Sequence, residues 1–445
     1  MERFVESDAI KQHVDLIREV FLYAQRFRGG TFVLHIDYAI NLHGLLAEVV
    51  KDLVLLQQSG IRMVLVPGAS QRIDEILAGY GVENRRHAGV RISPPDAIPF
   101  IKMAAFDVSN HLMTLLTARG TNAVIGNWVR ARSMGVRDGV DFGDTGTVDR
   151  IKLEHVQKVL DDGLVPIFPC VGWNAAGKPY NISSHELAQE LAVQLGAQKL
   201  FFITEFNGIT TGEYELDERF EVTTDRRVHR MDVAEARRFL ELNERHAERP
   251  GVELVRRGVA AAAGGVARVH IVDGRIDGVV LKEIFSNLGV GTMIHANVYD
   301  SIRPLTPEDI SDVLRIMRPL VKSGVLVARN EDDLRAQLDD YVVFETDGTI
   351  YGCGALHQYE GGKAELAAVA VDARHAERGT GRKIVEYLLA QARRRGCRQV
   401  FALTTQTYDW FSMHGFYPGT VQDLPPGKRE RYDRTRNSRI LLHDL

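Results

Sequence analysis

The chain has 445 residues, of which 45% are apolar, and its 59 acidic and 55 basic side chains leave a net charge of −4. That length exceeds one ordinary hydrophobic core and implies two or three domains, and the apolar fraction supports large cores. The near-balanced charge argues against a dedicated nucleic-acid binder.

The start, Met1-Glu-Arg-Phe-Val-Glu-Ser-Asp8, carries charge and no apolar signal core, and no later run approaches the roughly 18 apolar residues of a membrane span. A soluble, cytoplasmic protein without membrane contacts is expected. Ile10, Val14, Ile17, Phe21 and Ala24 then repeat at alternating spacings of four and three, which predicts an amphipathic helix over about residues 8–28. Its apolar stripe packs on its own domain or meets another subunit. From Thr31 to about Ile294 strand-like and helical runs alternate. Strands are expected at Thr31–Ile36, Arg62–Val66, Leu164–Phe168, Lys199–Thr204 and Arg268–Val272, with helices at Leu45–Gln58, Ile98–Ala118 and Glu186–Leu195. Such alternation gives a mostly parallel sheet covered on both faces, with ligands at the carboxyl ends of its strands. Val266 to Ile294 forms a further strand-rich passage. Cys170, Cys353 and Cys397 stand far apart without paired or metal-ligand spacing, so ordinary buried thiols are expected, and no metal.

Around residues 297–305 the pattern changes and a linker is expected. Arg303–Ile310 reads as a strand leading into a helix, with Thr306 capping and Pro307 at the first helical position. A smaller α+β domain follows to Leu445. Within it Glu365–Val371 reads as a buried strand, and Ile384, Leu388 and Ala392 mark a helix over Lys383–Arg395. The intervening Gly379 and Gly381 permit close approach to the backbone ahead of a helix whose first N–H groups lack partners, an arrangement that favours an anion. Arg378 and Arg382 add charge there. Glu365 opens an apolar strand, where an isolated carboxylate is costly unless used or paired. Gln399–Thr405 reads as another strand. Between Lys428 and Arg439 come six basic residues, Lys428, Arg429, Arg431, Arg434, Arg436 and Arg439, before an apolar strand at Ile440–Leu442.

The first 295 residues or so resemble the amino acid kinase fold, especially arginine-sensitive acetylglutamate kinases. Gly89-Val-Arg91, Tyr180-Asn-Ile182, His270-Ile-Val-Asp-Gly-Arg275 and Glu283 through Ile294 carry the likeness. The departures matter more. Such a kinase needs Lys-x-Gly-Gly after its first strand to neutralise the phosphoryl group; here the run is His35-Ile-Asp37-Tyr38. Its second glycine loop is reduced to Gly68-Ala-Ser70, and its Asn-Ile-Asn-Ala-Asp has become Asn181-Ile-Ser-Ser-His185. Loss of phosphoryl transfer is therefore expected. The resemblance still implies an arginine pocket from Tyr23, His270, Glu283 and Gly291.

The second domain resembles the acyl-CoA N-acetyltransferases of the GNAT fold, whose pyrophosphate loop reads Gln/Arg-x-x-Gly-x-Gly/Ala; here it is Ala376-Glu-Arg-Gly-Thr-Gly381, departing at its first position. The likeness implies acetyl-CoA held by Val369, Ala370 and Val371 and by Ala376, Glu377, Arg378, Gly379, Thr380, Gly381 and Arg382. It implies Glu365 as general base toward an amine, and Thr404 or Tyr408 as proton donor to the departing thiolate. A degenerate arginine-sensitive kinase domain (1–296) joined to an acetyltransferase domain (303–445) is similar to bacterial N-acetylglutamate synthases. Arg318-Pro-Leu320, Gly324-Val-Leu-Val-Ala-Arg329, Trp410-Phe411 and Arg436-Asn-Ser438 keep that family's order. That likeness implies transfer of acetyl to L-glutamate, whose carboxylates meet Arg329, Lys428, Arg436 and Ser438, feedback inhibition by L-arginine, and a homo-oligomer, often a hexamer. Lys428 stands where relatives often have arginine, which gives a point charge in place of a fork. Two alternatives remain: a non-catalytic arginine sensor, and acetylation of another small amine.

Overall fold

The computed structural model describes residues 14, 17, 20, 21, 24, 25, 27–285, 289–296, 300–346, 349–373 and 379–445. The chain divides into two compact units, Met1–Asn297 and Val298–Leu445.

In the first unit eight strands form one sheet: β1 (Thr31–Ile36), β2 (Arg62–Pro67), β3 (Ala123–Ile125), β4 (Val165–Ile167), β5 (Lys199–Thr204), β6 (Arg230–Asp232), β7 (Arg268–Asp273) and β8 (Thr292–His295). Their spatial order is β6-β8-β7-β5-β1-β2-β4-β3. All pairings are parallel except β7 with β8. Every residue of β1 is buried, because both faces are covered. Phe32, Leu34 and Ile36 join a core with Leu53 of helix α1 (Leu46–Gln58) and with Leu112 and Leu116 of α2 (Ile98–Thr117). Val33 points the other way, toward Leu187, Ala188 and Leu191 of α3 (Ser184–Gln194). Ser183 caps α3 by accepting the Glu186 N–H, 3.3 Å.

Two features of this unit depart from the sequence-based expectation. A second, four-stranded sheet is built from Val129–Ser133, Gly146–Ile151, Val171–Trp173 and Pro179–Asn181. These strands are too short and too polar to carry a readable period. Within the passage expected to be strand-rich, Val279–Phe285 is a helix, α4. The buried Asp52 of α1 accepts the Val280 and Leu281 N–H groups at 3.2 and 3.5 Å and so caps it across 228 residues of sequence.

The second unit is a seven-stranded sheet: β9 (Asp300–Pro304), β10 (Tyr341–Thr346), β11 (Thr349–Tyr359), β12 (Lys363–Val371), β13 (Gln399–Thr404), β14 (Tyr417–Gly419) and β15 (Arg439–Asp444), in the order β9-β10-β11-β12-β13-β15-β14. Helix α5 (Ile310–Lys322) packs Ile310, Val313 and Met317 on the face bearing Tyr341 and Val343, and α6 (Thr380–Arg394) packs Ile384, Leu388 and Ala392 on the opposite face with Val342 and Phe344. Helix α6 starts three residues before the expected Lys383. Among the described residues no helix is long and apolar enough to cross a membrane.

The entry to α5 is fixed by charge. Asp309 accepts from the backbone N–H and hydroxyl of Thr306 at 2.9 and 2.8 Å and takes a two-pronged Arg303 guanidinium at 2.6 and 3.0 Å. Burial alone would raise the Asp309 pKa; the hydrogen bonds from Arg303 and Thr306 outweigh it and hold the carboxyl below its ordinary value. A depressed folded-state pKa contributes stability that is complete above the unfolded value of about 3.9 and is lost as pH falls through the folded value. Asp309→Asn is therefore expected to cost about 2 kcal/mol at neutral pH, a penalty that shrinks toward pH 3, where the carboxyl of the unfolded parent is becoming neutral. Urea unfolding of both proteins at pH 7 and near pH 3 checks this, and a penalty that is the same at both refutes it.

Candidate active site and effector site

The sheet of the second unit opens in its middle. Strands β12 and β13 run parallel and pair only from Lys363–Gln399 to Leu366–Ala402. Beyond that rung β12 stays paired with β11 as far as Val371, and β13 stays paired with β15 as far as Thr404–Arg439. The bend that parts them has a local cause. The β11–β12 register shifts between Cys353 and Ala355, and Ala368 opposite is held at φ +53°, a bulge that swings the end of β12 away. One edge of β12 past Leu366 therefore faces a cleft with no strand against it among the described residues.

Glu365 lies one residue before this opening and is 5% exposed. Its carboxylate is paired: Lys428 Nζ lies 2.6 Å from Oε1, and the Tyr359 hydroxyl donates to Oε2 at 3.0 Å. Burial, then the Glu365 charge, push the Tyr359 pKa up, so its phenol stays a neutral donor. Tyr359 escaped sequence reasoning, although a hairpin closed by Glu360-Gly-Gly362 places it opposite Lys363, and period two then puts Glu365 on the same face. Lys428, expected to await a substrate carboxylate, here engages the base candidate instead.

At the start of α6, Gly379 adopts φ +67° as the N-cap and makes no side-chain cap, a left-handed conformation that favours glycine. A Cβ on Gly381 would come within 3.3 Å of the Trp410 ring. Thr380 is buried, and Arg382 pairs with Glu386 at 2.7 Å. Val369, Ala370 and Val371 line the free end of β12. Ala376, Glu377 and Arg378 lie outside the described residues.

The tail and two loops converge on the far side of the cleft. Arg436 donates to the carbonyls of Gly324 and Val325 at 3.1 and 2.7 Å, and Thr405, just past β13, donates to Gly324 at 3.4 Å. The same loop ends at Arg329, which donates to its own Val327 carbonyl at 3.2 Å. Ser438 is buried, and its carbonyl accepts from the Tyr432 hydroxyl at 2.7 Å. The Thr404 hydroxyl meets the Thr407 hydroxyl at 2.7 Å and accepts the Thr407 N–H at 3.0 Å, closing the turn into the short helix Tyr408–Ser412. The Arg439 guanidinium lies 4.8 Å from the Tyr408 ring centre. Cys353, in β11, is fully buried, which pushes its thiol up to about 12.

In the first unit, His270, Glu283 and Gly291 are brought together. The His270 ring nitrogen Nδ1 lies 2.8 Å from Glu283 Oε1, and Glu283 Oε2 accepts the Val290 and Gly291 N–H groups at 2.7 and 3.1 Å. A side chain on Gly291 would collide with the Ile271 carbonyl. Tyr23, expected to close this pocket, lies outside the described residues. Arg91 is not presented to a ligand: it is 5% exposed and spans Asp74 at 2.6 Å and the Ser70 carbonyl at 3.0 Å. Where phosphoryl chemistry would need a lysine, His35 is fully buried, and burial with the neighbouring His185 holds its pKa well below the ordinary value.

The amino acid kinase family matches residues 29–273, and the acetyltransferase (GNAT) family matches residues 310–417. The amino-acid acetyltransferase of Aeromonas salmonicida is 34% identical over 432 residues, covering 94% of this chain and 95% of its own length. That of Escherichia coli K12 is 31% identical over 444 residues, covering 97% and 98%. The structure of N-acetylglutamate synthase from Neisseria gonorrhoeae complexed with coenzyme A and L-arginine superposes with a TM-score of 0.83 at 30% identity, covering 97% of this chain and 99% of that one. The same enzyme complexed with coenzyme A and N-acetyl-glutamate gives 0.60 at 31% identity, with the same coverage. The chain belongs to the amino-acid acetyltransferases, acyltransferases in which an amino-acid-kinase-like unit precedes a GNAT unit that uses acetyl-CoA as co-substrate.

Proposed function

We propose that this enzyme transfers the acetyl group of acetyl-CoA to the α-amine of L-glutamate by direct attack, as the first step of arginine biosynthesis, and that L-arginine bound in the first unit inhibits it. The observation that carries the catalytic part is the position of Glu365, a buried carboxylate with a cation at 2.6 Å, beside the point where β12 leaves β13. The thioester enters that gap with its pyrophosphate at the start of α6 and its pantetheine along Val369–Val371. Unpaired N–H groups of β12 stabilise the oxyanion as the amine attacks. An α-amine has a reference pKa near 8, and Glu365 takes its proton directly or through water, held in place by Tyr359. Thr404 or Tyr408 protonates the thiolate. Cys353, the cysteine of this sheet, is held as a neutral thiol, which favours direct transfer over an acyl-cysteine relay.

Lys428, Arg329, Arg436 and Ser438 receive the acceptor's carboxylates. Because Lys428 rests on Glu365, an incoming carboxylate exchanges for Glu365 at the ammonium as it frees the base. Nucleic acid has no part in this reading. A cytoplasmic setting accords with three cysteines that form no disulfide. In the first unit Glu283 supplies a planar acceptor for a guanidinium. Described residues of the N-terminal segment are helical, and Val14, Ile17 and Phe21 are 38, 53 and 70% exposed, an apolar stripe suited to self-association into a hexamer or another ring.

CoA thiol release should require glutamate over aspartate, glutamine and ornithine, and should fall when arginine is added. Release that prefers another amine replaces the substrate, whereas saturable arginine binding without any release leaves a sensor. Glu365→Gln is expected to lower kcat by about 10²–10⁴ with little change in the acetyl-CoA KM; unchanged turnover removes Glu365 as base. Glu283→Gln should weaken arginine binding, measured by calorimetry, about tenfold or more while turnover without arginine is retained. Arginine affinity equal to the parent's would move the effector elsewhere. Phe21→Glu is expected to lower the sedimentation mass toward the monomer, and a parent protein that already sediments as a monomer contradicts self-association.

A further inference from the structure

We propose that His35, Asp37 and His185 form a site for one divalent transition-metal ion in the first unit, best suited to Zn²⁺, and that this ion fastens the end of β1 to the start of α3. His35 is the fifth residue of β1, Asp37 follows the strand directly, and His185 is the second residue of α3. The parallel sheet brings them to the carboxyl end of its strands. One ligand atom from each residue lies within 4.8 Å of the others.

The separations suit an ion better than a hydrogen bond. Asp37 Oδ1 is 3.8 Å from His35 Nε2 and 3.9 Å from His185 Nε2, both beyond hydrogen-bonding range. A metal with bonds of about 2.0–2.2 Å to nitrogen and oxygen holds neighbouring ligand atoms roughly 3.3–3.6 Å apart. These two pairs need to close by only a few tenths of an ångström, and His185 lies on the first turn of α3 with its side chain 28% exposed.

Three further observations point to the same place. The buried His185 Nε2, the ligand atom of that residue, has no hydrogen-bonding protein group; a buried polar atom of this kind requires an explanation, an ion among them. Gly68, at the end of β2, keeps space beside the ligand atoms: a Cβ there would lie 3.1 Å from Asp37 Oδ1 and 3.3 Å from His35 Nε2. The rings of His35 and His185 stand 4.2 Å apart and tilted by 38°, so two imidazoles converge on one carboxylate with no lysine or arginine ion-paired to it among the contacts observed. Two nitrogens and one oxygen form a borderline donor set that suits zinc and its first-row neighbours over magnesium or calcium. The Ser184 hydroxyl, 3.0 Å from His35 Nε2, gives up that contact when the ion binds and stays beside a remaining coordination position. The sequence-based expectation of no metal rested on cysteine spacing, which is blind to three ligands spread over 150 residues.

Co²⁺ serves as the spectroscopic probe. The full-length protein, stripped with chelator, is expected to take up one Co²⁺ per chain with visible d–d absorption that Zn²⁺ displaces, and its melting temperature should rise with Zn²⁺. His185→Ala and Asp37→Asn should each weaken uptake at least tenfold and abolish the rise in melting temperature. Wild-type protein without stoichiometric uptake overturns the proposal without recourse to any variant. Uptake and spectrum retained in both variants overturn it equally, by placing the ion elsewhere.

Discussion

Everything in the second unit depends on two parallel strands that pair for four rungs and then part. A parallel ladder satisfies the backbone groups of both strands, so ending it in the interior of a domain leaves N–H and C=O groups that need another partner. The bulge at Ala368 makes the parting local: β12 turns away while keeping its bonds to β11, and the cleft is floored by backbone donors held rigid on their other edge. Under the proposed function, a thioester lying along β12 would take the place of the missing strand, with donors for the tetrahedral oxyanion that need no reorganisation. The same geometry explains why α6 begins where it does. Gly379 turns the chain back with a left-handed residue, and Gly381 permits the approach to Trp410 that packs the helix start against the rest of the site.

The pairing of Glu365 with Lys428 has two sides. A buried carboxylate is costly alone, and its attraction to an ammonium at 2.6 Å compensates for desolvation only when both partners keep further hydrogen bonds, which Tyr359 provides on one side. Removing one member of such a pair costs about 3–5 kcal/mol, because the other is left buried and unpaired. A ligand that draws Lys428 away must therefore bring its own negative charge. An acceptor with carboxylates does so, whereas a plain amine does not, which is how the proposed glutamate specificity would arise from this pairing.

The first unit displays what burial does to a charge centre. Arg91, part of the likeness to the kinase family, is drawn into Asp74 and the Ser70 carbonyl, and His35 is fully buried in β1 where a phosphoryl-transfer site needs an exposed lysine. The sheet itself is intact, since β1, β2, β5 and β7 keep apolar residues on both faces. The fold accommodates His35 and Asp37 where a kinase of this family carries Lys-x-Gly-Gly, because residues at strand ends contribute little to the core.

The long parallel strands, the helices α1, α2 and α3 and the capped entry to α5 were legible in the chain alone, because each is a local pattern: an apolar run, a period near 3.6, a Thr-Pro before a helix. Gly379, Gly381 and the carboxylate of Glu365 in an apolar strand stood out in the chain for the same reason, each being a local departure from its surroundings. The second sheet was not legible, since two of its strands have only three residues and the other two are broken by polar and charged residues. Nor was the helix over Val279–Phe285, which depends on a carboxylate at Asp52. Tyr359 and Lys428 became partners of one oxygen pair, and His35, Asp37 and His185 became neighbours, only through strand register and crossover. Sequence determined which elements form and which residue types are present; tertiary structure decided which distant side chains meet, because pairing between strands is set by burial summed over the whole sheet and leaves no mark at any one position.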